Sequence, residues 1–257
     1  MRSKVWSAAF LGYGVSMKKK YILAVMPARG GSKRIPKKNI KDFCEKPMMS
    51  WPLNILKKID FIDDVLVSTD CESVSRIAKE NGASVPFLRP ENLADDYTGT
   101  AEVIKHAVAW YQENIAAVDY VLTVYPTAVF LSKEDIEKAF GILQNEDCEN
   151  VFSATEYPFP IQRAIYLDEK KRVNMFHPEC YSMRSQDLEP AYHDAGQFYF
   201  STVEALDNDA PIFSNKSRLL VLPKSRVVDI DTPEDFILAE KLFKAMNVND
   251  LNNRSRL

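Results

Sequence analysis

Arg29, Lys33, Lys37 and Lys38 gather positive charge around the adjacent glycines Gly30 and Gly31, within the run Met26-Pro27-Ala28-Arg29-Gly30-Gly31-Ser32-Lys33-Arg34-Ile35-Pro36-Lys37-Lys38-Asn39. Glycines let the backbone turn tightly, and amides exposed beside guanidinium and ammonium groups suit a polyphosphate. The run follows the apolar stretch Tyr21-Ile22-Leu23-Ala24-Val25, which predicts a buried first strand. No Gly-Lys-Ser/Thr closes the loop, so it is not a P-loop, and the Gly-x-Gly-x-x-Gly spacing of dinucleotide sites is absent. The plain alternative is a solvated basic loop, a reading that suits Arg34 and Lys37 best; such loops rarely carry two glycines directly after a buried strand.

Asp229 and Asp231 form the second constellation. Residues 227–231 read as a core strand, and side chains two apart on a strand point to the same side. Two carboxylates so placed repel unless a cation lies between them. Oxygen ligands select a hard ion, and beside phosphates that ion is Mg²⁺. The competing reading is a pair of acids capping the helix that opens at Thr232-Pro233-Glu234-Asp235, which has Thr as N-cap, Pro in the first turn and acids near the positive helix end. Asp70 ends the run Val67-Ser68-Thr69-Asp70 and either fixes loops or touches substrate. His106, His177 and His193 are scattered, and no Ser/His/Asp arrangement stands out.

These residues need a scaffold, and the pattern supplies strands alternating with helices. Strands are expected over residues 64–68, 84–88 (an edge strand, because of Pro86), 119–125 and 150–155, and helices over 48–59, 72–81, 100–112 and 133–143. This predicts an α/β fold: a Rossmann-like, doubly wound, mostly parallel sheet with helices on both faces. Ligands in such sheets bind outside the carboxyl ends of the strands, where the basic loop, Ser68-Thr69-Asp70 and Tyr125-Pro126-Thr127 all lie. Residues 156–195 break the alternation as an excursion suited to packing on a second subunit. Residues 1–16 are expected to be a loosely ordered leader, 17–246 a single domain, and 247–257 a polar tail.

With 257 residues, 46% of them hydrophobic, the chain can bury a large core. A net charge of −3 argues against a general nucleic-acid binder. The four cysteines form no Cys-x-x-Cys pair, which suits reduced thiols in a cytoplasmic setting. No stretch is long enough to span a membrane.

The basic run resembles the signature loop of the cytidylyltransferases that activate nonulosonic (sialic-type) acids as CMP-sugars. The resemblance covers residues 21–244. It implies a fold of the nucleotide-diphospho-sugar transferase type and a loop that wraps the triphosphate of CTP. Arg29, Ser32, Lys33 and Lys38 match the triphosphate ligands, and Gly30 and Gly31 let the backbone approach. Asn39 matches a cytidine contact. Arg89-Pro90-Glu91-Asn92-Leu93-Ala94-Asp95-Asp96 resembles the second motif, whose arginine contacts the pyrimidine, and Thr98 and Thr100 complete the base pocket. Amide, hydroxyl and guanidinium groups suit a cytosine edge, although Thr100 is also placed to cap a helix and Arg89 to pair with Glu91 or Asp95. The Asp229-x-Asp231 feature matches the divalent-metal site. Arg29, Lys38, Asp229 and Asp231 then carry catalysis: attack of the sugar's anomeric hydroxyl on the α-phosphate, with pyrophosphate leaving. The resemblance also implies a homodimer built through the excursion.

The sialic acid members carry Gln-Pro-Thr-Ser-Pro-Leu-Arg after the central strand, where this chain has Tyr125-Pro126-Thr127-Ala128-Val129-Phe130-Leu131. That change and the run Tyr192-His193-Asp194-Ala195-Gly196-Gln197-Phe198-Tyr199 resemble the pseudaminic acid branch, which serves flagellin glycosylation. Tyr125, Gln197, Phe198 and Tyr199 are the expected sugar contacts, with Arg184 for the sugar carboxylate. The rival readings are a CMP-N-acetylneuraminic, CMP-legionaminic or keto-deoxy-octulosonic acid synthetase and, from other classes, a nucleotide-sugar-dependent glycosyltransferase or a noncatalytic nucleotide sensor.

Overall fold

Strand β1 (Ile22–Pro27) is apolar on both sides and buried along nearly its whole length, as a strand covered on both faces must be. In this computed structural model residues 19–254 are described; the expected leader and Met17 lie outside the described residues, as do residues 255–257 of the expected tail. After β1 and the basic loop, a short antiparallel pair, β2 (Asp42–Phe43) and β3 (Lys46–Pro47), leads into α1 (Ser50–Leu56). Then follow β4 (Asp64–Ser68), α2 (Glu72–Glu80), α3 (Thr100–Asn114), β5 (Tyr120–Val124), α4 (Lys133–Asn145) and β6 (Asn150–Glu156). A small hairpin, β7 (Ile165–Leu167) and β8 (Val173–Met175), precedes β9 (Tyr192–Thr202), α5 (Val203–Asp207), β10 (Ser217–Val221) and α6 (Pro233–Arg254).

The main sheet has six strands in the order β10-β6-β9-β5-β1-β4. β1 runs parallel to β4 and β5, and β10 parallel to β6, while β9 is antiparallel to both neighbours. The alternation along β1 builds both layers. Ile22, Ala24 and Met26 join residues of α1, α2 and α4 on one face, and Leu23 and Val25 join Ile104, Ala107, Val108 and Tyr111 of α3 on the other. The expected Rossmann-like, mostly parallel α/β sheet is therefore the fold observed.

Two expected strands are absent. Residues 84–88 make only one bridge, Leu66 to Ser84, because Pro86 has no N–H to extend the ladder. Residues 227–231 do not join the sheet; Val228 and Ile230 pack with Phe43, Val129 and Phe236 of the first turn of α6. Their apolar pattern records burial against a helix, not strand pairing. Conversely, β9 and β10 were not expected as strands, since Gly196, at φ +60, and the polar residues of β9 interrupt the alternation. Helix α6 runs through to Arg254, into the segment read as a tail.

The hairpin region leaves Phe159, Ile165, Leu167, Val173, Phe176 and Tyr181 exposed. All four cysteines are free thiols. Among the described residues no helix is long and apolar enough to cross a membrane.

Candidate active site

The carboxyl ends of β1 and β5 open onto one cavity of about 500 Å³. It brings together Arg29, Ser32, Lys33 and Lys38 of the basic loop, Asn39 after it, Arg89, Thr98 and Thr100 of the second motif, Tyr125 beyond β5, and Asp231. Loops at the ends of parallel strands converge there because every right-handed β-α-β crossover returns the chain to the same edge of the sheet.

The basic loop is fixed from below. Gly30 donates its N–H to Asp70 Oδ1 at 2.8 Å, so that amide supports the loop and does not face a ligand. A Cβ at Gly30 would lie 2.7 Å from Cys71 Cβ, which makes glycine obligatory there. Gly31 has open space around it, so no close contact demands its lack of a side chain. Ile35 is buried and anchors the far side of the loop, and Lys37 takes a left-handed turn at φ 53.

The cations of the loop meet two acids. Arg29 Nη1 donates to Asp96 Oδ1 at 2.9 Å and to the Asp95 carbonyl at 2.7 Å, and Lys33 Nζ pairs with the same Asp96 carboxylate. The hydrogen bond from Lys33, aided by Arg29, holds the Asp96 carboxyl below its usual range. Lys38 Nζ reaches the Ile230 carbonyl at 2.7 Å and Asp231 Oδ1 at 3.2 Å, while Arg34 Nη2 lies 2.9 Å from Asp231 Oδ2.

On the opposite wall, Asn39 is buried and donates to the Arg29 carbonyl at 2.9 Å. Arg89 is buried as well and pairs with neither Glu91 nor Asp95. Its Nη2 donates to the Ser68 carbonyl at 2.5 Å and its Nε to Ser68 Oγ at 3.1 Å, tying the second motif to the end of β4. The Thr98 hydroxyl donates to Asp95 Oδ1 at 2.7 Å, and the Thr100 hydroxyl lies 3.0 Å from the Tyr125 hydroxyl.

Asp231 lines the cavity, whereas Asp229 stands outside its lining on the same loop. Although Asp229 faces solvent at one edge, partial desolvation and then the charge of Asp231 raise its carboxyl above the usual range. Lys38 and Arg34 relieve the repulsion between the two acids only in part, and a cation between them would remove the rest. Among the described residues no three His, Cys, Asp or Glu side chains form a ready metal cage. A hard cation that takes most of its oxygens from phosphates and water needs only one or two protein carboxylates, so the pair fits Mg²⁺ in that role.

The expected sugar residues divide. Tyr125 lines the cavity, and Tyr199 meets it edge-to-face at 5.9 Å while its hydroxyl donates to Asp194. Burial and that carboxylate raise the Tyr199 phenol. Phe198 is not a cavity wall: it points to the other face of β9 and is fully buried against the helices. Gln197 is also inside, donating to the Arg226 carbonyl at 2.6 Å. Arg184 sits on the exposed excursion and forks onto Asp187 at 2.7 and 3.1 Å, away from this cavity. Neighbours on a strand alternate faces, so reading Gln197, Phe198 and Tyr199 as one group could not hold.

Sequence reasoning missed the role of Asp96, although the motif containing it was in view. It also missed the part-buried ion pair of Arg226 with Asp135 at the start of α4, which holds the chain three residues before Asp229. An Asp inside a helix's first turn gives no signal of so distant a partner.

A family model described as Cytidylyltransferase matches residues 23–248. The chain is 42% identical over 222 residues to a pseudaminic acid cytidylyltransferase of Campylobacter jejuni, covering 86% of this chain and 96% of that protein. It is 31% identical over 230 residues to a CMP-N,N'-diacetyllegionaminic acid synthase of Legionella pneumophila, covering 87% and 96% respectively. A solved CMP:2-keto-3-deoxy-manno-octonic acid synthetase complexed with CTP superposes with a TM-score of 0.62 at 16% identity, over 90% of this chain and all of the other, a likeness of fold alone.

Proposed function

The chain belongs to the cytidylyltransferase family, and from that premise we propose that it joins CTP to pseudaminic acid, giving CMP-pseudaminic acid and pyrophosphate. The observation that carries this reading is the single cavity shared by the basic loop, the second motif, Tyr125 and Asp231. The relative with 42% identity bears the name of that activity.

In this reading Arg29, Ser32, Lys33 and Lys38 hold the triphosphate through charge-assisted hydrogen bonds. Asn39, Arg89, Thr98 and Thr100 form the cytidine side; Asn39 and Arg89 shape its wall through the Arg29 carbonyl and Ser68. Tyr125, backed by Tyr199, offers an aromatic wall to the deoxygenated side chain of the sugar. The anomeric hydroxyl attacks the α-phosphate as the bond to pyrophosphate breaks, so the work is positioning and charge stabilisation. Lys38 sits where it can follow charge from the phosphates toward Asp231. Asp231 and Asp229 would hold Mg²⁺, which when bound neutralises charge on the phosphates.

The exposed apolar side chains of the excursion suit an interface, and we assign it to a homodimer. We place the enzyme in the cytoplasm, with no nucleic acid or membrane as partner, and its product in surface or flagellin glycosylation. The test is a panel assay: CTP, Mg²⁺ and each nonulosonic acid in turn, with CMP-sugar detected by mass. Pseudaminic acid should turn over fastest. Preference for N-acetylneuraminic or legionaminic acid would reassign the substrate, and lack of pyrophosphate release would move the chain to the glycosyltransferases.

A further inference from the structure

Among the described residues Asp96 is the one acid paired with both Arg29 and Lys33, and all three line the same cavity. Its carboxylate oxygens meet the two cations separately, Oδ1 on Arg29 and Oδ2 on Lys33. That is the arrangement a bridging phosphate would make, with one anionic oxygen on each cation. Asp96 stands on a short segment anchored on either side: Asp95 Oδ1 accepts from the Tyr97 and Thr98 amides at 3.0 and 2.7 Å, and the Asp95 carbonyl accepts from Arg29. The Asp96 side chain is itself 37% exposed and can swing away without dismantling its segment.

We propose that Asp96 is a specificity-determining residue, an internal carboxylate that occupies the phosphate position between Arg29 and Lys33 and must be displaced by the incoming triphosphate. This rests on the assignment of the basic loop to the triphosphate. Two consequences follow from the exchange. Only a ligand that engages both cations at once replaces Asp96 at little cost, which disfavours anions that reach one cation alone. The returning carboxylate also competes with the leaving pyrophosphate and assists its release. The exchange opposes tight anion binding, so removing the charge should tighten it.

Isothermal titration of the full chain with inorganic triphosphate tests this, using the parent, Asp96→Asn, Asp96→Glu and Arg29→Ala. Asp96→Asn should bind triphosphate about threefold to tenfold more tightly, the scale of one partly exposed ion pair. In turnover assays it should lower the KM for CTP and make pyrophosphate a stronger product inhibitor. Asp96→Glu should stay near the parent, because the charge is kept. A residue that merely held the loop would give the opposite sign, with looser triphosphate and a higher KM. If Arg29→Ala weakens triphosphate but Asp96→Asn leaves it unchanged or weaker, the placeholder role is overturned while the loop assignment stands. If Arg29→Ala binds like the parent, the loop assignment fails and the inference with it. A thermal melt of each variant separates these outcomes from misfolding.

Discussion

The Lys38 ammonium lies 3.2 Å from the Asp231 carboxylate and 2.7 Å from the Ile230 carbonyl, although 193 positions of chain separate Lys38 from Asp231. The basic loop and the acidic loop are therefore one unit, closed by a side chain only 19% exposed. Lys38→Met keeps the length of the side chain and removes the charge. It should lower kcat/KM about tenfold to a hundredfold, as expected for a charge-assisted contact to the reacting centre. Steady-state kinetics with varied CTP checks this, and parent-like kinetics would mean that Lys38 is only a strut.

Gly30 approaches Cys71 so closely that a Cβ would lie 2.7 Å from the Cys71 Cβ. Gly30→Ala should displace the loop and cut activity about tenfold or more, since overpacking costs roughly 1–3 kcal/mol. Cys71→Gly removes the obstructing atom, so the double variant should recover part of the loss. Additive losses in this cycle would show that the contact is not the cause.

The part-buried pair of Arg226 with Asp135 ties α4 to the chain that leads to Asp229. Asp135→Asn leaves a part-buried guanidinium without its charge partner, and stability should fall by about 1–3 kcal/mol. The pair Asp135→Leu with Arg226→Met should cost much less than the two single changes added. Urea unfolding of Asp135→Leu, Arg226→Met and the double variant measures the coupling.

Much of this arrangement was legible in the residues. β1 announced itself because apolar side chains faced both ways, α2 because Gly82 stops it, and α3 because Ile104, Ala107, Val108 and Tyr111 recur at helical spacing. The loop was legible because glycine and charge follow a buried strand. The segment 227–231 misled, since burial against α6 leaves the same apolar trace as a strand. Phe198 misled for a similar reason: an aromatic next to Tyr199 looks like a pocket wall until the alternation of β9 sends it to the opposite face. Pairings such as Asp96 with Arg29, or Asp135 with Arg226, depend on tertiary contacts across 67 and 91 positions that no local pattern encodes.

Asp95 provides a pH test of the segment that carries Asp96. Hydrogen bonds from the Thr98 hydroxyl and from the Thr98 and Tyr97 amides hold its carboxyl below the ordinary value of 3.8. A depressed carboxylate stabilises the fold fully above the ordinary value, and that contribution disappears as pH falls through the depressed one. Asp95→Asn should therefore be less stable than the parent at neutral pH, and the gap should close as pH drops below 3.8. Urea midpoints across that range report it; a gap that widens in acid would contradict the hydrogen-bond assignment.

The most direct test of the chemistry follows the oxygen. Pseudaminic acid labelled with ¹⁸O at its anomeric hydroxyl is incubated with CTP and Mg²⁺, and both products are analysed by mass. Attack by that hydroxyl on the α-phosphate predicts that the label stays in the CMP-sugar, bridging sugar and phosphorus, while pyrophosphate carries none. Unlabelled CMP-sugar, or release of the label to water, would contradict the account.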